Sequence, residues 1–184
     1  MKRFRLILIS LLTGSLLVLA GCESDEEKAE RFYQSGLALV EQGDNERALV
    51  ELRNVFEHDG FHREARSLYA QISLELGRTQ EAYSQYLRLI EQYPDATDAR
   101  VALAQMAIVT SNWDEVERHT AAALEQAPQQ ADVQALDLVV KYRRAVLDKD
   151  SESADAIAAQ ATDLLAQIRS EQSEGDNHGL VRLV

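Results

Sequence analysis

Apolar residues recur along most of this chain at helical rather than strand spacing, and the pattern itself repeats. Between Lys28 and Gln42, the residues Phe32, Gly36, Leu39 and Val40 fall on one side of a predicted helix. After Gly43-Asp44, Ala48, Leu49, Leu52, Val55 and Phe56 follow at i, i+1, i+4, i+7 and i+8, until Asp59-Gly60 ends the run. Ala65, Leu68, Tyr69, Ile72 and Leu76 then line one helix, and Ala82, Tyr83, Tyr86, Leu89 and Ile90 line its partner. Gly77 separates the two, Thr79 is the expected N-cap of the second, and Tyr93-Pro94 stops it, because proline forces its predecessor out of the helical region. A third pair runs from Ala96 through Met106, turns at Ser111-Asn112 and returns through Val116, Ala123 and Leu124 to Pro128. Trp113, placed in that turn, is expected to cover the hairpin's open end. A looser fourth pair joins Ala131–Leu147 to an alanine-rich helix from Glu152 to Ile168, through a polar connection expected to be longer than the first three. SEQSEGDNHG reads as a polar linker, and the apolar end at 180–184 as the start of a cut-off helix or a tail docking on the last hairpin.

The pairs share one period. Gly43, Gly77 and Ser111 stand 34 residues apart, as do Ala48, Ala82 and Val116, and Gly60, Pro94 and Pro128. A fixed period of this length predicts an all-α solenoid of antiparallel helical hairpins, with three clear units over residues 29–129 and a degenerate fourth over 130–169.

The first residues follow a different rule. Lys2, Arg3 and Arg5 precede an apolar run from Leu6 to Leu19, which is too short and too abruptly followed by acid to span a membrane. Leu19-Ala20-Gly21-Cys22 resembles a bacterial lipobox, which implies a signal peptide over 1–21, cleavage before Cys22 and acylation of that residue. An ordinary secretory signal with an incidental cysteine is the other reading. Cys22 is the single cysteine, so the chain has no internal disulfide. Two or three acyl chains anchor a protein stably, where one alone is marginal. Glu23, not aspartate, follows the cysteine, which by resemblance to enterobacterial sorting favours the outer membrane. The acidic stretch over 22–28 reads as a spacer.

Without residues 1–21, 16 Lys+Arg stand against 31 Asp+Glu, a formal charge of −15. This argues against nucleic acid, whose phosphates demand basic stripes, and against adsorption on anionic headgroups. The carboxylate pairs Asp44/Glu46 and Asp148/Asp150 lie in turns, where nothing would shift them toward acid–base work. His58 and His62 have the i, i+4 spacing of a zinc pair, but Asp59-Gly60 breaks the helix between them and no third ligand is evident. There is no phosphate-cradling glycine loop, and Cys22 is spoken for by acylation. The reading is a non-enzyme with no catalytic residue, metal or cofactor.

The units resemble tetratricopeptide repeats. That family wants small residues where its helices cross, held here by Gly36, Ala70 and Ala104 on first helices and by Ala48, Ala82 and Val116 on second ones. Larger apolar residues match at Leu52, Val55, Tyr69, Tyr86, Leu89 and Leu103, while Ser35, Gly60, Ser111, Val116 and Thr120 depart from the pattern, as do Arg66 and Arg100 in place of the usual first-helix aromatic. As a whole the chain resembles the N-terminal part of repeat lipoproteins of exopolysaccharide and PEP-CTERM export systems. It also resembles lipoproteins of outer-membrane β-barrel assembly and of pilus assembly. The resemblance implies a lipid-anchored, periplasm-facing scaffold for envelope assembly or export, or else the tethering module of a larger protein with a separate active domain.

The family's first helices line a concave groove. Carried over by position, that groove would present Tyr33, Leu37, Val40 and Glu41; Glu64, Ser67, Gln71, Leu74 and Glu75; and Val101, Gln105 and Ile108. Family members that clamp a terminal carboxylate use lysine and asparagine where this chain has Tyr33, Leu37, Ser67, Gln71, Val101 and Gln105. The implied partner is a protein or peptide segment that is apolar with basic flanks.

Overall fold

The computed structural model describes residues 23–180, with side chains described over 23–170. The signal-peptide and Cys22 expectations, and the apolar end over 181–184, lie outside the described residues. Eight α-helices and no strand are present among the described residues: α1 Asp25–Glu41, α2 Asn45–His58, α3 Arg63–Glu75, α4 Thr79–Gln92, α5 Thr97–Val109, α6 Trp113–Gln126, α7 Ala131–Leu147 and α8 Ser151–Leu180. The chain divides into two compact units after His62.

All four hairpin turns are the same device. Residues 42–44, 76–78, 110–112 and 148–150 each connect two helices, and the middle residue of each has a positive φ: Gly43 (75°), Gly77 (73°), Ser111 (56°) and Lys149 (59°). In each, two backbone N–H groups return to the last-turn carbonyls, as Gly43 N to Val40 O (2.9 Å) and Asp44 N to Leu39 O (2.9 Å) show for the first. The fourth repeats it with Lys149 N to Val146 O (3.2 Å) and Asp150 N to Ala145 O (2.9 Å). The fourth connection is therefore no longer than the others, contrary to expectation. Its polar sequence hid a left-handed cap that glycine marks only in the first two turns.

Three boundaries also differ from the sequence reading. The acidic stretch expected to be a spacer opens α1, because Ser24 and Glu27 form a capping box: Ser24 Oγ accepts from Glu27 N (3.1 Å), and Glu27 Oε2 accepts from Ser24 N (2.8 Å). Arg78, not Thr79, is the N-cap of α4, and it makes no side-chain cap bond. The expected linker after Ile168 is instead helical, as α8 runs on to Leu180. Gly175 and Gly179 disfavour a helix there, but the segment holds no proline, so nothing in it blocks the helix outright.

In the first unit, Ala29, Gly36 and Leu39 of α1 and Ala48, Leu49, Leu52 and Val55 of α2 are buried. A Cβ on Gly36 would lie 3.2 Å from both Cγ and Cδ2 of Leu52, so the small residue sets how closely these helices approach. In the second unit, α5 carries buried residues around most of its circumference. Leu103 joins Ala70, Ala82, Tyr86, Leu89 and Ala99 in one cluster, while Val101 and Ala104 join Ala123, Val133 and Leu136 in the next.

His119 on α6 is 1% exposed, with Nε2 3.1 Å from Glu115 Oε2 and no hydrogen-bond partner on Nδ1 among the described residues. Burial pushes the imidazole below its ordinary value of 6.5; Arg118 and Arg100 add to this, and Glu115 opposes it. The unfolded chain therefore binds this proton more readily than the folded one, and stability rises with pH in that window. Thermal stability is expected to fall as pH drops from 7 to 5, and a His119→Leu variant to show the flatter profile in calorimetry. An unchanged slope would count against His119 as the source.

Candidate protein-binding surface

The exposed sides of the first helices are built by default, since each helix turns its apolar stripe inward and leaves polar positions out. In the first unit, Tyr33, Leu37 and Val40 are half-buried on α1 and Glu41 is exposed. Tyr33 rests against the His62 ring, with centroids 4.7 Å apart, and His62 Nε2 lies 3.7 Å from Glu30 Oε2. His58 turns elsewhere, stacking on Phe32 with its Nδ1 3.1 Å from Asp25 Oδ1. Lys28 and this contact together hold the Asp25 carboxyl below its ordinary range. Each imidazole thus has its own acidic neighbour on α1, and among the described residues no cluster of three or more His, Cys, Asp or Glu could hold a metal ion.

In the second unit, α3 exposes Glu64, Gln71, Leu74 and Glu75, with Gln71 Nε2 donating to Glu75 Oε1 at 3.4 Å, while Ser67 is half-buried. Ser67 lines a small cleft with Arg63, Asp95 and Gln130. There Arg63 Nη1 meets Asp95 Oδ2 at 2.9 Å, holding that carboxyl low, and Gln130 Nε2 donates to Asp98 Oδ1 at 2.9 Å. Gln105 on α5 is exposed, but Val101 is only 6% exposed and Ile108 packs against the same cluster. Val101 is core, contrary to the expectation that it lines a groove, while Ile108 is half-buried. A helix packed on several neighbours has no free face at position 101.

Two features escaped the sequence reading. Arg66 is 2% exposed and donates from Nη1 to Gln85 Oε1 (2.7 Å) and from Nε to Gln92 Oε1 (3.0 Å), so a departure from the repeat pattern became a buried polar tie between α3 and α4. The other is an apolar trough of about 510 Å³ on the last hairpin. It is lined by Val139, Tyr142 and Val146 of α7 and by Leu164 and Leu165 of α8. Trp113, the first residue of α6, also lines it, with the Arg143 guanidinium 4.4 Å above its ring and Glu117 3.8 Å from that guanidinium. Trp113, expected to cover a hairpin end, also borders this trough.

Two family models for the tetratricopeptide repeat match, over residues 33–96 and 74–137. Residues 33–137 belong to the tetratricopeptide-repeat family. The structure is similar to that of the Arabidopsis OM64 TPR domain, with a TM-score of 0.59 at 15% identity over 65% of this chain and 99% of that one. It is also similar to a MamA double mutant from RS-1, with 0.62 at 19% identity over 75% of each chain. A third likeness is to the first TPR of Spaghetti (RPAP3) bound to the HSP90 peptide SRMEEVD, with 0.55 at 15% identity over 75% of this chain and 99% of that one. At these identities the likeness shows the fold alone. No curated protein matches the sequence. Tetratricopeptide repeats serve protein–protein contact through the surfaces that stacked hairpins display, and a non-catalytic interaction scaffold is what this fold supplies.

Proposed function

We propose that the protein is a lipid-anchored, periplasm-facing tetratricopeptide scaffold that gathers protein components for envelope assembly or export. The observation that carries this reading is the joining of a lipobox-like Leu19-Ala20-Gly21-Cys22 to tetratricopeptide repeats matched from residue 33. Glu23 after the cysteine favours the outer membrane. Each unit offers a contact surface of its own on a first helix: Glu64, Gln71, Leu74 and Glu75 of α3 in the second unit, and Tyr33, Leu37, Val40 and Glu41 of α1 in the first. An apolar residue among carboxylates suits a segment that is apolar with basic flanks. It is a poor match for an acidic peptide of the SRMEEVD type that the Spaghetti domain holds.

The test uses the full chain made in a bacterium. Cys22→Ser is expected to move the protein out of the membrane fraction and abolish palmitate labelling. A fluorescent peptide of leucine and alanine flanked by lysines should bind more tightly than its glutamate-flanked counterpart. Glu41→Lys with Glu75→Lys should weaken that binding by roughly 10-fold or more. Equal binding of both peptides would sink the charge reading, and unchanged fractionation would sink the anchor.

A further inference from the structure

The trough on the fourth hairpin is bordered by a self-complementary stripe. Tyr142 (47% exposed), Val146 (52%) and Leu165 (63%) leave far more apolar surface in solvent here than a packed hairpin needs. Along the outer rim of α8, Asp155, Ala158, Thr162, Leu165 and Arg169 follow at spacings of 3, 4, 3 and 4, so they share one face of the helix. Asp155 and Arg169 lie seven residues either side of Thr162, about 21 Å apart at 1.5 Å per residue. Neither forms an ion pair among the described residues. Residues 131–170 carry 5 Lys+Arg against 7 Asp+Glu, where the whole chain has 19 against 31, so the excess acid is concentrated outside this hairpin.

We propose that α8 pairs antiparallel with α8 of a second copy of this chain, about a two-fold axis passing by Thr162. Opposite charges placed symmetrically about a midpoint match themselves only in that arrangement. Asp155 of each copy then meets Arg169 of the other at both ends. Leu165 lies over the small Ala158 and Ala159 of its counterpart, and each α8 closes the other's trough over Val139 and Tyr142. A flexible acyl chain in the same trough would gain nothing from charges at these two positions.

The test is made in the full chain carrying Cys22→Ser, so that one introduced thiol is the only one. Under mild oxidation Thr162→Cys is expected to give a disulfide-linked dimer at least about 10-fold more readily than Gln160→Cys, which borders the opposite side of the α7–α8 hairpin. Adding Asp155→Arg should cut that yield by about 10-fold, and adding Arg169→Asp to it should restore the yield. Circular dichroism confirms that the variants keep their helix content. Equal cross-linking at 160 and 162, failure of the charge swap to restore the dimer, or capture of a different protein by the thiol at 162 would each overturn the pairing.

Discussion

Truncation of Leu103 to alanine is expected to lower the stability of the second unit by about 3 kcal/mol, the usual cost of emptying a fully buried leucine site. Leu103 has 0% exposure and belongs to a cluster with Ala70, Ala82, Tyr86 and Leu89, drawing on three helices. Several of these neighbours are alanines, whose short side chains cannot swing into the vacated space, so the hole stays open. In thermal unfolding the midpoint should drop by roughly 10 °C. Val109→Ala, at a site 85% exposed, should change it little. A loss below about 1 kcal/mol at Leu103 would mean that the surrounding helices close over the gap.

Arg66→Ala is expected to cost about 2–4 kcal/mol, for a different reason. The wild-type guanidinium satisfies the amide oxygens of Gln85 and Gln92 in a place where the arginine itself is 2% exposed. Removing it deletes the packed stem and leaves both acceptors half-buried without these donors. Arg66→Met separates the two effects, because it keeps most of the stem. It should recover part of the loss, and the remainder measures the hydrogen bonds. Chemical denaturation of the three proteins decides the matter, and an alanine variant within about 0.5 kcal/mol of wild type would remove Arg66 from the stabilising contacts.

The fold was legible because a hairpin repeat writes itself into short-range spacing: a small residue at each crossing, larger apolar residues one turn on, and a break every 34 residues. What could not be read depended on partners distant in sequence, or on backbone conformation without its usual marker. Arg66 looked like a defect until Gln85 and Gln92, 19 and 26 residues away, were placed beside it. Ser111 and Lys149 take the conformation that Gly43 and Gly77 announce, yet their side chains give no sign of it. For the surface, position within the repeat points to α1, α3 and α5, but could not tell that α5 is enclosed on several sides. Val101 is buried for that reason, while Gln105 on the same helix stays exposed.

The uniform three-residue turns bear on how the chain comes to be folded at all. Each joins helices that pack directly on one another, so closing a hairpin requires only a short search through conformations. Rates of folding rise as interacting residues lie closer in sequence. A chain delivered from its N-terminal end can therefore complete α1 and α2 before α3 has emerged, then add one hairpin at a time. The apolar surface left bare at any stage is then that of one hairpin face, not of a whole unassembled core.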